Sequence, residues 1–163
     1  MASVMADTTY RLKGAGDGAN GRRWLALFLF CLLVLFAQRV HSLQLIAHES
    51  VPVTQVSLKE LRAIYTMRLD HWKNDLKVQV FVLPSRSEVH QRFCKSVLQV
   101  LPHQLQAAWY RLVFSGMGRA PIEVKDEQAM IEHVRNTPGA IGYLESLDAV
   151  SGEQTIKAIQ VSP

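Results

Sequence analysis

Cysteine is nearly absent: the 163 residues hold two. Cys31 lies inside an N-terminal apolar run, so Cys94 has no partner in the rest of the chain and an intramolecular disulfide is excluded there. Catalytic signatures are equally scarce. No paired carboxylates, nucleophile elbow or phosphate-cradling glycine loop stands out, which makes an enzyme the least supported class. His71, His103 and His133 share no spacing that suggests a cluster, and His90 with Cys94 at i, i+4 supplies two ligands, too few for zinc. Cys94 beside Phe93 reads instead as a small hydrophobe, and neither a metal nor a cofactor is expected. There is no internal repeat and no low-complexity tract. An excess of one charge is missing too, once the chain is divided. Residues 1–42 carry Arg11, Lys13, Arg22, Arg23 and Arg39 against Asp7 and Asp17, three of the four net positive charges, while the remainder has 13 basic and 12 acidic residues. The calculated pI of about 9.3 therefore belongs mostly to the N-terminal segment and is no nucleic-acid footprint.

That segment has the three parts of a secretory signal. Arg22-Arg23 closes a basic region, Trp24 to Ala37 is an uncharged, almost entirely apolar run of 14 residues, and Val40-His41-Ser42 places small residues at both ends of a cleavage tripeptide. The run is short of the ~20 residues that cross a bilayer comfortably. Cleavage after Ser42 predicts a mature chain from Leu43, and an uncleaved anchor at residues 24–42 in the inner membrane is the alternative. Either places the domain at 43–163 in a bacterial periplasm. Residues 1–21 lack periodicity and read as disordered. Leu29-Phe30 before Cys31 are not the small residues of a lipoprotein site.

The body of the chain is organised around Ser57 to Phe93. Ser57 followed by Glu60 forms a capping box, and Leu58, Leu61, Ile64 and Tyr65 recur at helical spacing behind it, with Lys59, Glu60 and Arg62 facing water. Lys73-Asn74-Asp75 breaks the pattern. Val78 to Leu83 is an apolar strand ended by Pro84, and Ser85 or Ser87 caps the next helix, whose core face is Val89, Phe93, Val97, Val100 and Leu101. Pro102 starts a tandem helix with Leu105, Ala108, Trp109, Leu112 and Val113 on one face. Residues 115–121 form a loop by composition. Asp126 caps a helix burying Met130, Ile131 and Val134; strands follow at 140–144 and 155–161, and another is expected at 43–46. Strands alternating with helices predict an α/β domain with a mixed sheet of four or five strands and helices packed on it.

The words IYTMRLDHW, FSGMGRAP and TPGAIGYL, in this order around an apolar strand that leads into a serine-bearing helix start, resemble the second lobe of the substrate-binding subunit of phosphate ABC transporters. The resemblance runs from Leu43 to Leu147 and is closest in size to short, single-lobe relatives in the type 2 periplasmic binding protein superfamily. It implies one lobe of that fold, non-catalytic binding of phosphate or another small oxyanion, and a link to phosphate transport. The family's Ser-Gly-Thr anion group is replaced here by Leu83-Pro84-Ser85-Arg86-Ser87-Glu88-Val89, and its first lobe is missing.

Two stretches offer anion chemistry. Ser85, Arg86 and Ser87 combine hydroxyls and a cation with a helix N-terminus; the plainer reading is an N-cap beside a solvated arginine. Ser115, Gly116 and Arg119 lie in a loop that can form an anion-binding nest or simply connect two elements. A lobe without its partner also predicts a rival class, an interaction module that forms a homodimer or docks on a membrane protein, with Met117, Val124 and Tyr143 exposed near the vacant face.

Overall fold

A computed structural model describes residues 43–162 apart from Met117, Ser151 and Glu153. The expected signal or anchor at 1–42 lies outside the described residues, as does Met117. In chain order the elements are β1 (Gln44–His48), β2 (Gln55–Ser57), α1 (Leu58–Tyr65), β3 (Gln79–Val82), α2 (Glu88–Arg92), a π turn (Phe93–Leu98), α3 (Pro102–Phe114), β4 (Ile122–Glu123), α4 (Glu127–Asn136), β5 (Ala140–Leu144), a 3₁₀ turn (Leu147–Val150) and β6 (Ile156–Ser162). Among the described residues no helix is long and apolar enough to cross a membrane.

The strands form one mixed sheet in the order β2-β6-β1-β5-β3-β4. β3 runs parallel to β4 and β5, β2 runs parallel to β6, and β1 is antiparallel to both β5 and β6. The α/β expectation holds, with six strands where four or five are expected. The additional pair, β2 and β4, are three and two residues long and carry no alternation to read.

Helices cover both faces. On one, α4 presses its buried Met130 and Val134 against β5, so closely that a Cβ on Gly142 would sit 2.5 Å from the Met130 sulfur. Asp126 caps α4 as its position predicts, its carboxylate accepting from the Ala129 N–H at 2.8 Å. On the other face Tyr143 meets Phe93, with rings stacked 3.9 Å apart, and Tyr65 of α1 at 6.2 Å. The Ser57–Glu60 capping box is present in both directions. Arg62 does not face water as expected; its guanidinium donates to the Leu98 carbonyl at 2.7 Å and ties α1 to the π turn. Trp72 bridges the first helix and the strand region, donating from its indole to the Gly139 carbonyl at 2.9 Å.

Three expectations fail for identifiable reasons. The helix expected from Ser87 to Val100 passes into the π turn, whose i→i+5 bonds insert an extra residue per turn, so Leu98 rather than Val97 reaches the core and His90 and Cys94 become buried with it. α3 forms, but it lies outside the layer that touches the sheet: Leu105 is buried, Trp109 and Leu112 are half-buried and Val113 is exposed. Val124 and Tyr143, expected at an exposed surface, are both buried. Val124 follows β4 and donates its N–H to the Val82 carbonyl, and Tyr143 points into the aromatic layer.

Candidate functional site

In open α/β sheets, ligands bind beyond the carboxyl ends of parallel strands, and here that edge is the end of β3 and β5. Leu83-Pro84 leaves β3 and turns through exposed Ser85 and Arg86 to Ser87, whose N–H closes the turn on the Pro84 carbonyl at 2.8 Å. Ser87 is the N-cap of α2 in extended conformation, yet its hydroxyl makes no capping bond. It faces a shallow recess of about 400 Å³ lined also by Leu83, Val89, Lys125, Asp126 and Glu127.

The electrostatics of that recess are mixed. The N-terminus of α4 opens on it but is already answered by Asp126, which accepts from Ala129, and the Glu127 carboxylate is engaged by the Glu145 N–H at 2.5 Å. Arg92 is spent in an ion pair with Glu145 at 2.6 Å. Arg86 and Lys125 are left to oppose Glu88, Asp126 and Glu127, so a small anion gains hydroxyl and amide donors there with little net positive field.

Ser115, Gly116 and Arg119 sit elsewhere. The Ser115 hydroxyl donates to the Leu112 carbonyl at 3.1 Å, and the Gly116 N–H, at φ +68°, donates to the Val113 carbonyl at 3.1 Å. Both donors close the C-terminus of α3, the negative end of its macrodipole. Arg119 borders a different recess, about 410 Å³, with Asp70, Lys77 and Gln79 at the start of β3. Strand rise places it roughly 15 Å or more from Ser85–Ser87 at the other end. The two groups are not brought together.

A buried polar relay went unseen in the sequence. The Leu83 N–H donates to the Tyr143 hydroxyl oxygen at 2.9 Å, that hydroxyl lies 2.6 Å from His90 Nδ1, and His90 Nε2 lies 3.4 Å from the Cys94 sulfur. The amide, phenol and imidazole protons of this relay all find acceptors when Tyr143 donates to Nδ1 and the neutral imidazole donates from Nε2 to sulfur. Burial lowers the His90 pKa, raises that of Tyr143, and pushes the Cys94 thiol up to about 11. Burial disfavours the thiolate, and the hydrogen bonds of the relay join the end of β3 to β5 and α2. The i, i+4 spacing of His90 and Cys94 was its only sequence signal. Among the described residues no group of three or more His, Cys, Asp or Glu is placed to hold a metal ion.

The relay predicts acid sensitivity. Because the folded pKa of His90 is depressed, the unfolded chain takes up a proton below pH 6.5 that the folded chain resists, and stability falls as pH drops from there toward the lowered folded value. Thermal melts between pH 7 and pH 5 are expected to show a falling Tm in the wild type and a shallower fall in His90→Gln. Equal slopes would remove His90 as the cause.

No protein-family model and no curated protein matches the chain. Solved structures do. The chain is similar to an ABC-type phosphate transport receptor from Vibrio cholerae, at 21% identity and a TM-score of 0.53, over 73% of this chain and 45% of that one. A putative phosphate ABC transporter substrate-binding protein with bound phosphate from Clostridium perfringens matches at 19% identity and a TM-score of 0.57, covering 73% and 44%. PstS from Borrelia burgdorferi matches at 18% and 0.54, covering 74% and 47%. The described residues thus have the α/β fold of a periplasmic binding protein lobe. The resemblance read in the sequence, to the phosphate ABC transporter substrate-binding proteins, is matched in the fold, and the chain spans less than half the length of these structures.

Proposed function

We propose that the chain is a non-catalytic, solute-receptor-like lobe of the periplasm, linked to phosphate transport, that offers half of a weak site for phosphate or another small oxyanion at Ser85, Arg86 and Ser87. The observation that carries this reading is the uncommitted Ser87 hydroxyl at the carboxyl edge of β3 and β5, beside exposed Arg86, in a fold shared with phosphate receptors. A two-lobed receptor removes its ligand from water by closing over it; one lobe leaves the anion wet, and the nearby Glu88, Asp126 and Glu127 subtract from its affinity. Ser115 and Gly116 close the C-terminus of α3, and Arg119 borders the recess at the start of β3, a separate surface.

Titration calorimetry of the full chain in detergent with phosphate, sulfate and an organic phosphate is expected to give a Kd in the millimolar range that Arg86→Ala weakens several-fold. Absence of binding at millimolar ligand, with Arg86→Ala indistinguishable from wild type, would leave Ser87 as a helix cap and nothing more. A second reading, an interaction module that pairs with its own copy or with a component of the membrane, is favoured by a specific surface, the outward side of α3, where Tyr110, Val113 and Phe114 are exposed.

A further inference from the structure

A recess of about 570 Å³ opens between β2, α1 and the segment 69–73 that precedes β3, and neither the oxyanion site nor the exposed side of α3 uses it. Its volume falls within the range of small-molecule sites, about 300–1,000 Å³. Val56, Ile64 and Trp72, all buried, and the half-buried Val53 and Ala63 line it, and Leu69 borders it with 36% of its surface exposed. The polar groups of Trp72 are engaged elsewhere: the indole N–H donates to the Gly139 carbonyl at 2.9 Å, the backbone N–H donates to the Leu76 carbonyl at 2.7 Å, and the backbone carbonyl accepts from Asp75 at 3.0 Å. What it adds to the recess is aromatic carbon.

The charged and titratable side chains on the same recess are Lys59, Glu60, His71 and Lys73. Glu60 is committed to the helix cap, its Oε2 accepting from the Ser57 N–H at 3.0 Å and the Ser57 hydroxyl at 2.9 Å; these bonds, with a smaller contribution from Lys73, hold its carboxyl below the usual range. His71 is answered by Asp70, 3.1 Å from its Nδ1. Among the described residues neither Lys59 nor Lys73 is in an ion pair. Lys59 also sits in the first turn of α1, where a cation opposes the macrodipole, so the helix gains nothing from its charge. A residue that breaks a local rule without a structural return marks a functional site.

Apolar carbon beneath and unpaired ammonium groups beside it together select the occupant. Inorganic phosphate would leave the apolar lining wet, an uncharged apolar molecule would leave both lysines unanswered, and a cation would be repelled. We propose that this recess binds a small organic anion, an aromatic or aliphatic body against Trp72 and Ile64 with one carboxylate toward Lys59 and Lys73. Exposed ion pairs add little each, so the affinity is modest and the apolar body supplies most of it. His71 to Lys73 precede β3 whereas Ser85 to Ser87 follow it, so the two sites are separate and calorimetric failure with phosphate leaves this one untouched.

The test uses the full chain in an uncharged detergent, with its three tryptophans isotope-labelled at the indole nitrogen and the magnetic resonance peaks assigned through Trp24→Phe and Trp109→Phe. Titration with phenylpropionate is expected to move the Trp72 indole peak saturably, with a Kd of about 1 mM or below. The Trp109 peak, whose N–H is bonded to the Tyr65 carbonyl away from the recess, should stay in place. Phenylpropanol and phenylpropylamine, with the same body, should bind several-fold more weakly, and acetate, the head alone, should move nothing at the same concentrations. Lys59→Gln with Lys73→Gln should bring the carboxylate down to the affinity of the alcohol and leave the alcohol unchanged. Both lysines are exposed, so this variant is expected to fold, and an unshifted Trp109 peak verifies it. Ala63→Met, which fills the recess, should weaken acid and alcohol alike. No saturable shift with phenylpropionate, equal affinity for the acid and the amine, a preference for the acid that survives the double lysine variant, or Trp72 and Trp109 peaks that move together would each overturn the proposal.

Discussion

Phe93→Asp is expected to abolish cooperative unfolding, whereas Leu112→Asp keeps it. Helical periodicity assigns both residues to a core face, but the structure separates them. Phe93 is fully buried, its ring stacked on Tyr143 and 4.8 Å from Tyr65. Replacing it removes that packing and leaves an unpaired carboxylate in an apolar layer, a combined cost of about 5 kcal/mol or more. Domains of this size are stable by only about 5–15 kcal/mol. Leu112 is half-buried on outer helix α3, where a carboxylate can stay hydrated and costs about 1–2 kcal/mol. Far-UV circular dichroism during thermal and guanidinium unfolding separates the cases. A cooperative wild-type-like transition in Phe93→Asp would refute the placement of the core.

Gly139→Ala should cost about 3 kcal/mol or more, far beyond what one methyl group usually does. Gly139 has φ +76°, and a Cβ there would lie 2.2 Å from the backbone oxygen of Lys77, which cannot move without shifting the strand entry. The same residue is a junction. Its N–H donates to the Ser50 hydroxyl at 3.0 Å, and its carbonyl accepts from Gln79 at 3.1 Å and from the Trp72 indole at 2.9 Å. Pushing it aside strains the loop after β1, the Trp72 seal and the start of β3 together. Gly116→Ala is the control: its φ is also positive, at +68°, but nothing lies within 4 Å of a Cβ, so only the backbone term of about 1 kcal/mol applies. A difference in denaturation midpoint between the two variants measures the clash, and equal losses would show that conformation alone matters.

Local chemistry was legible wherever an element is stabilised by residues adjacent in sequence. The Ser57–Glu60 box, the Asp126 cap, the apolar run at 78–83 and the strand at 140–144 act within a few residues, and each stands where the chain alone places it. Pairings between distant segments left no such mark. β2 and β4 are strands only because β6 and β3 lie beside them, and the relay from Leu83 through Tyr143 to His90 joins residues 53 and 60 positions apart.

The candidate site divides along the same line. Ser85, Arg86 and Ser87 are recognisable as a helix start, since a proline-terminated strand followed by serines dictates it locally. That Ser87 keeps its hydroxyl free, that Asp126 and Glu127 crowd the same recess, and that Arg119 borders a recess at the opposite end of β3 follow from how the strands are ordered. Periodicity states which residues share a face of α3, but the presence of a layer over that face depends on the rest of the fold. One extra residue in the π turn rotated Leu98 inward, and the packing of Trp109 on Tyr65 turned Tyr110 and Phe114 out to solvent. Short-range hydrogen bonds and side-chain spacing therefore determine the elements and their caps from the amino-acid order, while burial, pKa and the exposed surfaces are decided by contacts across the sheet, whose geometry no local pattern encodes.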